Sequence, residues 1–374
     1  MTAQLQDEDE ATPLQRRLAR MIRAQGPISV ADYMSDALGH PQEGYYMARD
    51  PIGAEGDFTT APEISQMFGE LIGAFLVQSW IDMGEPSLFN LIELGPGRGV
   101  LMADILRTAQ QLRPEFIAAV RVYLIEYSGR MRHEQRTRLK DAKPDIIWAT
   151  KLAEAPPGPT LIVANEFFDC LPIRQFLKGE DGEWRERLVT TADDGSDALD
   201  FTLSEAPVPA HRLFPAHIVE APEGSVFETC APAADVIDEI CARLAPYKGR
   251  ALIIDYGHAR SGLGDSLQAV RGHHYWPPLK APGHADITAH VDFEALVRAA
   301  MTSGALVYGP TSQGDLLERL GLNARAEALL RAGADRASLA AASKRLAADT
   351  EMGAIFKALC LSSPDMPPPP GFEG

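Results

Sequence analysis

Two hydrophobic rhythms divide the chain. Near the start, "TPLQRRLARMIRAQG" spaces Leu14, Leu18 and Ile22 along one helical face, opens on Thr12 and Pro13 as N-cap and first helical position, and stops at Gly26. A short helix and a turn-rich segment follow in "SVADYMSDALGHPQEGYY". The loop "GAEGDFTTAPEIS" then offers Thr60 or Ser65 as the cap of a helix running to about Met83. From residue 90 the rhythm changes. Short apolar runs "NLIEL" (90–94), "RVYLIEY" (121–127), "DIIWA" (145–149), "TLIVANEFF" (160–168) and "ALIIDYG" (251–257) are separated, in two of the gaps, by helical patterns at 99–112 and 128–140. Continuous apolar strands alternating with helices predict a parallel sheet covered on both faces, a doubly wound α/β fold.

The stretch 171–225 breaks the alternation. "RQFLKGEDGEWRERLVTT" predicts a hairpin around Asp181 and Gly182, within an antiparallel insertion, and 231–246 supplies the helix before the strand at 251. Ala/Leu/Arg-rich helices are predicted from 314 to about 361. The resulting plan is a disordered tail (1–12), an N-terminal helical segment with a closing loop (13–89), a core (90–170 and 226–320), an insertion (171–225), C-terminal helices (321–361) and a Pro-rich disordered tail (362–374).

Thirty-five basic against fifty-two acidic residues leave a formal charge of −17, which repels phosphate backbones and excludes nucleic acid unless a basic patch overrides it. The densest candidate, "RMRHEQRTRLK" (130–140), reads more simply as a solvated helix face. The four cysteines form no C-x-x-C pair, which points to a reducing compartment. No apolar run is long enough for a membrane span, and the acidic start resembles neither a secretory signal nor a transit peptide, so a cytoplasmic location is expected. His258, His273, His274, His284 and His290 cluster, but their spacings match no zinc motif and no metal is expected.

The glycine loop "IELGPGRG" (92–99) carries the first chemical signal. A dinucleotide loop needs G-x-G-x-x-G, but here the third glycine is Gly99, Pro96 removes a backbone donor, and Glu93 would oppose a pyrophosphate. S-adenosylmethionine suits the same features, because it has no phosphate and its ammonium can meet Glu93. Glu126 ends the second apolar run, where doubly wound enzymes place an acid for ribose hydroxyls; an ordinary strand-end carboxylate would look the same.

"ANEFFDCLP" (164–172) puts Asn165 and Glu166 at the expected carboxyl end of the sheet, and Asn-x-x-aromatic there resembles the N-P-P-Y-type motif of nitrogen methyltransferases. The asparagine carbonyl would accept a hydrogen bond from the target nitrogen, the Phe168 ring would stabilise a cation, and Glu166 with Asp169 would pair with a guanidinium. A capped loop with two core phenylalanines fits the residues equally well.

Taken in order, "GYY" (44–46), "GAEGDFTTAPEISQMFGE" (53–70), "IELGPGRG" (92–99), "ANEFFDCLP" (164–172), "IIDYG" (253–257) and "DITAHVDF" (286–293) resemble the MidA-like family of S-adenosylmethionine-dependent methyltransferases. The resemblance spans about residues 30 to 320, and "GDFTTAPEIS" is its most specific stretch. It implies a Rossmann-like class I methyltransferase core, S-adenosylmethionine as cofactor, and symmetric ω-dimethylation of arginine in a quinone-side subunit of respiratory complex I. It also implies that Glu93, Gly95, Pro96, Gly97 and Gly99 line the methionine end of the cofactor, that Glu126 binds ribose, that Ile147 and Trp148 flank adenine, and that Thr59, Thr60 and Pro62 close the pocket. Asn165, Glu166, Phe168 and Asp169 would face the methyl group, with Asp255, Tyr256, His258, Asp286 and His290 toward the substrate. A dehydrogenase is disfavoured by Pro96 and Glu93. A cofactor-binding assembly factor without turnover, or a methyltransferase for another nitrogen, stays open. A homodimer is compatible with all three.

Overall fold

The computed structural model of the protein describes residues 11–48 and 60–372, divided into two compact units. One unit comprises Thr59–Asp169, Ala233–Ser261 and Val291–Gly374. Its sheet runs, from edge to edge, Leu306–Ser312, Phe356–Ser362, Gly249–His258, Thr160–Asn165, Phe89–Leu94, Val120–Ile125 and Ile146–Ala149. The last five are parallel, and Phe356–Ser362 is inserted antiparallel to both of its neighbours. The two-residue strand Val291–Asp292 also pairs with the end of Gly249–His258.

The Phe89–Leu94 strand is buried along its whole length, as expected for a parallel strand with both faces covered. Its neighbours are the next strand in sequence on one side and the fourth on the other, so the chain reverses its winding there. Such a reversal leaves a crevice at the carboxyl ends of the strands, where ligands bind in doubly wound folds. Helix Gln66–Asp82 covers one face and is apolar nearly all round, burying Met67, Phe68, Leu71, Ile72, Phe75, Leu76 and Trp80. It lies against helix Val100–Leu112 so closely that a Cβ on Gly69 would come within 2.5 Å of the Asp104 Cβ.

The other unit comprises Met1–Phe58, Cys170–Pro232 and Gly262–His290. Its main sheet pairs Trp184–Thr191 with Ile28–Ser29, Arg174–Lys178 and Leu199–Leu203, and Val226–Thr229 with Arg174–Lys178, all antiparallel. Helix Pro13–Gln25 is capped by Thr12 and buries Leu14, Leu18 and Ile22, as its spacing predicts. These residues share a core with Tyr33, Met34, Val189 and Ile287.

The division differs from the plan read off the sequence. Segments 13–48, 170–232 and 262–290 form one unit. The predicted insertion buries one apolar cluster within itself, around Phe176, Trp184, Phe214 and Phe227, and a second, around Ile173 and Val189, against the N-terminal helices and a later hairpin. At the far end, the expected C-terminal helix stops at Ile355, and "FKALCLS" is a core strand. Nor does the Pro-rich tail from 362 behave as expected. Arg250, fully buried at the start of its strand, donates to Asp82 Oδ2 at 2.5 Å, to Ser79 Oγ at 3.2 Å and to the Pro367 carbonyl. A buried guanidinium needs acceptors on several sides, and the tail supplies one. The N-terminal residues 1–10 lie outside the described residues.

Ending the chain at Ser363 should therefore destabilise the protein by about 2 kcal/mol or more, since a buried charged donor loses its acceptor. Urea unfolding checks this, and an unchanged midpoint would show that water replaces Pro367.

Candidate active site

Three strand ends meet at the crevice. The register aligns Leu94 with Ala164 and Ile254 with Asn165, so the glycine loop, the Asn165 turn and the segment after Ile254 leave the sheet side by side. Gly95, Gly97 and Gly99 all have positive φ (61°, 51° and 77°), which explains the G-x-G-x-G pattern. Gly99 is the N-cap of helix Val100–Leu112, and buried Pro96 closes the turn by accepting from the Gly99 N–H at 2.8 Å.

Glu93 is 3% exposed, and its Oε2 has no hydrogen-bond partner among the described residues. Burial, with Glu126 adding its charge, pushes its pKa up to about 8. An unpartnered buried carboxyl group below a glycine loop can exchange its proton for a cationic guest. The group implied by the loop, with its ammonium and sulfonium, fits that donor set; a pyrophosphate does not.

Glu126 lies just past its strand. Its carboxylate accepts from the Ser128 N–H at 2.7 Å and from Gln135 Nε2 at 3.0 Å, and burial raises its pKa. The next residue, Tyr127, is 60% exposed. Ile147 and Trp148 are adjacent in a strand, so their side chains point to opposite faces and cannot both flank one adenine. Trp148 turns toward Gln135, with the Arg136 guanidinium 4.8 Å from its ring centroid, whereas Ile147 is 40% exposed.

The Asn165 turn is held from below. Asp255, fully buried, accepts through Oδ2 from the backbone N–H groups of Phe167 (3.1 Å), Phe168 (2.8 Å) and Asp169 (3.2 Å), and through Oδ1 from Tyr256 N–H (2.9 Å). Burial and the nearby Asp169 and Glu166 carboxylates raise its pKa, and the Phe168 and Tyr256 amides pull it back down. These bonds correct its expected place in substrate binding: Asp255 is the clamp that shapes the turn. Above it, Glu166 is one of the few non-glycine residues with positive φ, at 51°. Its Oε1 accepts from Ala61 N–H at 2.9 Å and Asn165 Nδ2 at 3.0 Å. Desolvation, with Asp169 and Glu63 nearby, pushes its pKa up to about 7. Asn165 is 8% exposed, and its Oδ1 is buried with no partner among the described residues.

The aromatic assignment also changes. Phe168 is buried, whereas Phe167 lies over the glycine loop: a Cβ on Gly95 would come within 2.9 Å of Phe167 Cδ2. In "NEFF" the two rings cannot be told apart by pattern; the Asp255 clamp decides which one turns inward.

Thr60 is the N-cap residue of the short helix Ala61–Ile64, within which Pro62 is buried; Ser65 caps the next helix through Met67 N–H at 3.2 Å. Thr59 lies outside the described residues. Tyr256 and His258, both partly exposed, end the Gly249–His258 strand. Asp286 and His290 belong to the other unit. There Asp286 is buried and accepts from the Tyr46 hydroxyl at 2.9 Å, so its carboxylate has a structural partner rather than an exposed face for substrate. Among the described residues, no three His, Cys, Asp or Glu side chains are grouped to hold a metal, and no helix is long and apolar enough to cross a membrane.

The strand order, the glycine loop and the buried acid beneath it define a class I S-adenosylmethionine-dependent methyltransferase. The model of a family described as S-adenosyl-L-methionine-dependent methyltransferases matches residues 71–311, and the chain belongs to that family. The mitochondrial protein arginine methyltransferase NDUFAF7 of Mus musculus is 38% identical over 345 residues, covering 87% of this chain and 78% of the relative. Its Homo sapiens counterpart is 37% identical, covering 86% and 76%. A crystal structure of a Burkholderia thailandensis protein bound to S-adenosyl-homocysteine superposes with a TM-score of 0.78 at 26% identity, covering 96% of this chain and 92% of that one. S-adenosylmethionine is accordingly the cofactor. The expected cytoplasmic location does not stand, because these curated relatives are mitochondrial proteins.

Two outcomes follow from the loop. Binding of S-adenosylhomocysteine at pH 7 should release up to one proton, because Glu93 is largely protonated before it meets the ligand ammonium. Calorimetry in buffers of different ionisation enthalpy reads this, and Glu93→Gln should release less and bind at least tenfold more weakly. Gly95→Ala should also weaken binding at least tenfold, since its Cβ strikes Phe167 at a φ of 61° that alanine resists. Parent-like affinity in Gly95→Ala would place the cofactor elsewhere.

Proposed function

We propose that the protein transfers methyl groups to an arginine side chain of another protein. The observation that carries this reading is the buried, unpartnered Asn165 Oδ1 beside Glu166, at the strand ends adjoining the glycine loop. The names of the relatives, protein arginine methyltransferases, point to the same acceptor class.

A guanidinium is a weak nucleophile because its lone pair is delocalised. Bound in the site, S-adenosylmethionine supplies an electrophilic methyl group on a sulfonium. This chain's residues make the nitrogen reactive. Asn165 Oδ1 accepts one N–H and fixes the direction of the attacking nitrogen. Glu166 and Asp169 draw the positive charge to the far nitrogens, and Glu166, with a pKa near 7, accepts the proton that leaves. The Phe167 ring supplies an aromatic surface beside Gly95 and keeps water from that side.

The finer reading is symmetric ω-dimethylation of a quinone-side subunit of respiratory complex I, which rests on the family resemblance. Incubating the protein with that subunit and S-adenosylmethionine, then mapping modified residues by mass spectrometry, tests it. Symmetric dimethylarginine supports the proposal, and methyl groups confined to lysine or histidine overturn it.

Two variants separate the roles. Asn165→Ala should lower kcat roughly 100-fold while S-adenosylhomocysteine affinity stays within about threefold. For the parent at saturating S-adenosylmethionine, kcat/KM for the acceptor should rise with pH through about 7, as Glu166 loses its proton, and level off above. Glu166→Gln keeps an acceptor for the Ala61 amide but should lose that rising limb and most of kcat/KM. A variant with the parent's rate and pH profile would remove Glu166 from the chemistry.

A further inference from the structure

Helix Gly129–Arg138 is charged and largely exposed, apart from two residues turned inward, Met131 and Gln135. Gln135 is fully buried, and its amide joins three segments. Its Nε2 donates to the Gly97 carbonyl at 2.7 Å and to Glu126 Oε2 at 3.0 Å, and its Oε1 accepts from Trp148 Nε1 at 2.9 Å. Its stem also packs under the loop, since a Cβ on Gly99 would meet Gln135 Cγ at 3.4 Å.

We propose that Gln135 is a positioning residue for the cofactor: one buried amide fixes the Gly97 backbone, the Glu126 carboxylate and the Trp148 indole relative to each other, and so sets the affinity for the adenosine half. This rests on the reading of Glu126 as the ribose ligand. The chemistry requires an amide. A primary amide offers two N–H donors and a carbonyl acceptor in one plane, matching one backbone carbonyl, one carboxylate and one indole N–H. Leucine would fill the volume and remove all three hydrogen bonds, leaving Glu126 only its Ser128 amide. Glutamate would keep the acceptor for Trp148 but, when ionised, would face Glu126 with a second negative charge. Packing alone gives no reason to bury an amide here, because an unneeded polar group costs desolvation that an apolar side chain avoids.

The test uses the full-length protein with three variants, Gln135→Leu, Gln135→Glu and Glu126→Gln, titrated with S-adenosylhomocysteine across pH 5.5 to 8.5. Indole emission is recorded against Trp148→Phe to isolate the Trp148 signal. Gln135→Leu should bind at least tenfold more weakly at every pH, and its Trp148 emission should shift because the indole N–H has lost its acceptor. Gln135→Glu should lose least at the acid end, where its protonated carboxyl supplies one of the two donated hydrogen bonds, and weaken progressively as that proton leaves. Should Gln135→Leu fail to fold, the pH dependence of Gln135→Glu decides alone. Parent-like affinity in Gln135→Leu, or a pH-independent loss in Gln135→Glu, overturns the inference. Unchanged binding in Glu126→Gln overturns the ribose reading instead, whatever Gln135 does.

Discussion

The buried Asp255 carboxylate, accepting from three successive backbone amides, is the interaction on which the site depends. Backbone N–H groups pointing one way at the end of a strand form an anion-binding concavity, and here the anion is a side chain from the neighbouring strand. The arrangement fixes the path of 167–169 in space. It turns Phe168 into the core and Phe167 over Gly95, and it leaves Glu166 above the turn in a left-handed conformation that no local preference of glutamate supports. Without it the 167–169 amides would lose their shared acceptor, even with every strand of the sheet intact, and the bonds of Glu166 to Ala61 and Asn165 would be left to hold the turn.

The clamp also concentrates negative charge. Asp255, Glu166 and Asp169 interact at one strand end, and Glu93 and Glu126 interact at the next. Carboxylates this buried, without a matched cation, raise each other's pKa and oppose the folded state. The same crowding suits two cationic guests, a sulfonium with its ammonium and a guanidinium. A hydride-transferring enzyme with a phosphate-bearing cofactor would need the opposite sign at Glu93. The formal charge of −17 therefore overstates the negative charge of the ligand-free protein, since Glu93 in the crevice holds a proton at neutral pH.

Much of this was legible because it depends on local chemistry. Gly95, Gly97 and Gly99 announce a loop of positive φ, and Glu93, Glu126, Asn165 and Glu166 announce themselves as polar residues at or near the ends of apolar strand runs. Residues whose role depends on distant partners were not legible. Asp255 looks like any strand-end aspartate until the 167–169 amides are placed over it. Gln135 sits in a stretch so charged that it reads as a solvated face, and only its burial reveals it. "FKALCLS" follows an Ala-rich helical stretch and has no alternation to mark it as a strand; its identity comes from the slot between Leu306–Ser312 and Gly249–His258. The Ile147–Trp148 pair misleads for the opposite reason, because adjacent positions suggest joint action while strand geometry separates them.

These features give the buried acids a common logic. A carboxyl group such as Glu93, held near a pKa of 8, is kept neutral at physiological pH by a proton rather than by a protein cation. The proton leaves at little cost when a better cation arrives, whereas a resident lysine or arginine would have to be displaced from its partner. A site that charges itself with protons stays stable without its ligand and becomes fully anionic only when the ligand is bound. Glu166, near 7, follows the same rule at the acceptor side. An arriving guanidinium would expel its proton and leave a base in place to receive the next. In the proposed function, one device, desolvated carboxylates at adjacent strand ends, would serve both cofactor capture and acceptor activation, with the Asp255 clamp shaping the turn that follows Glu166.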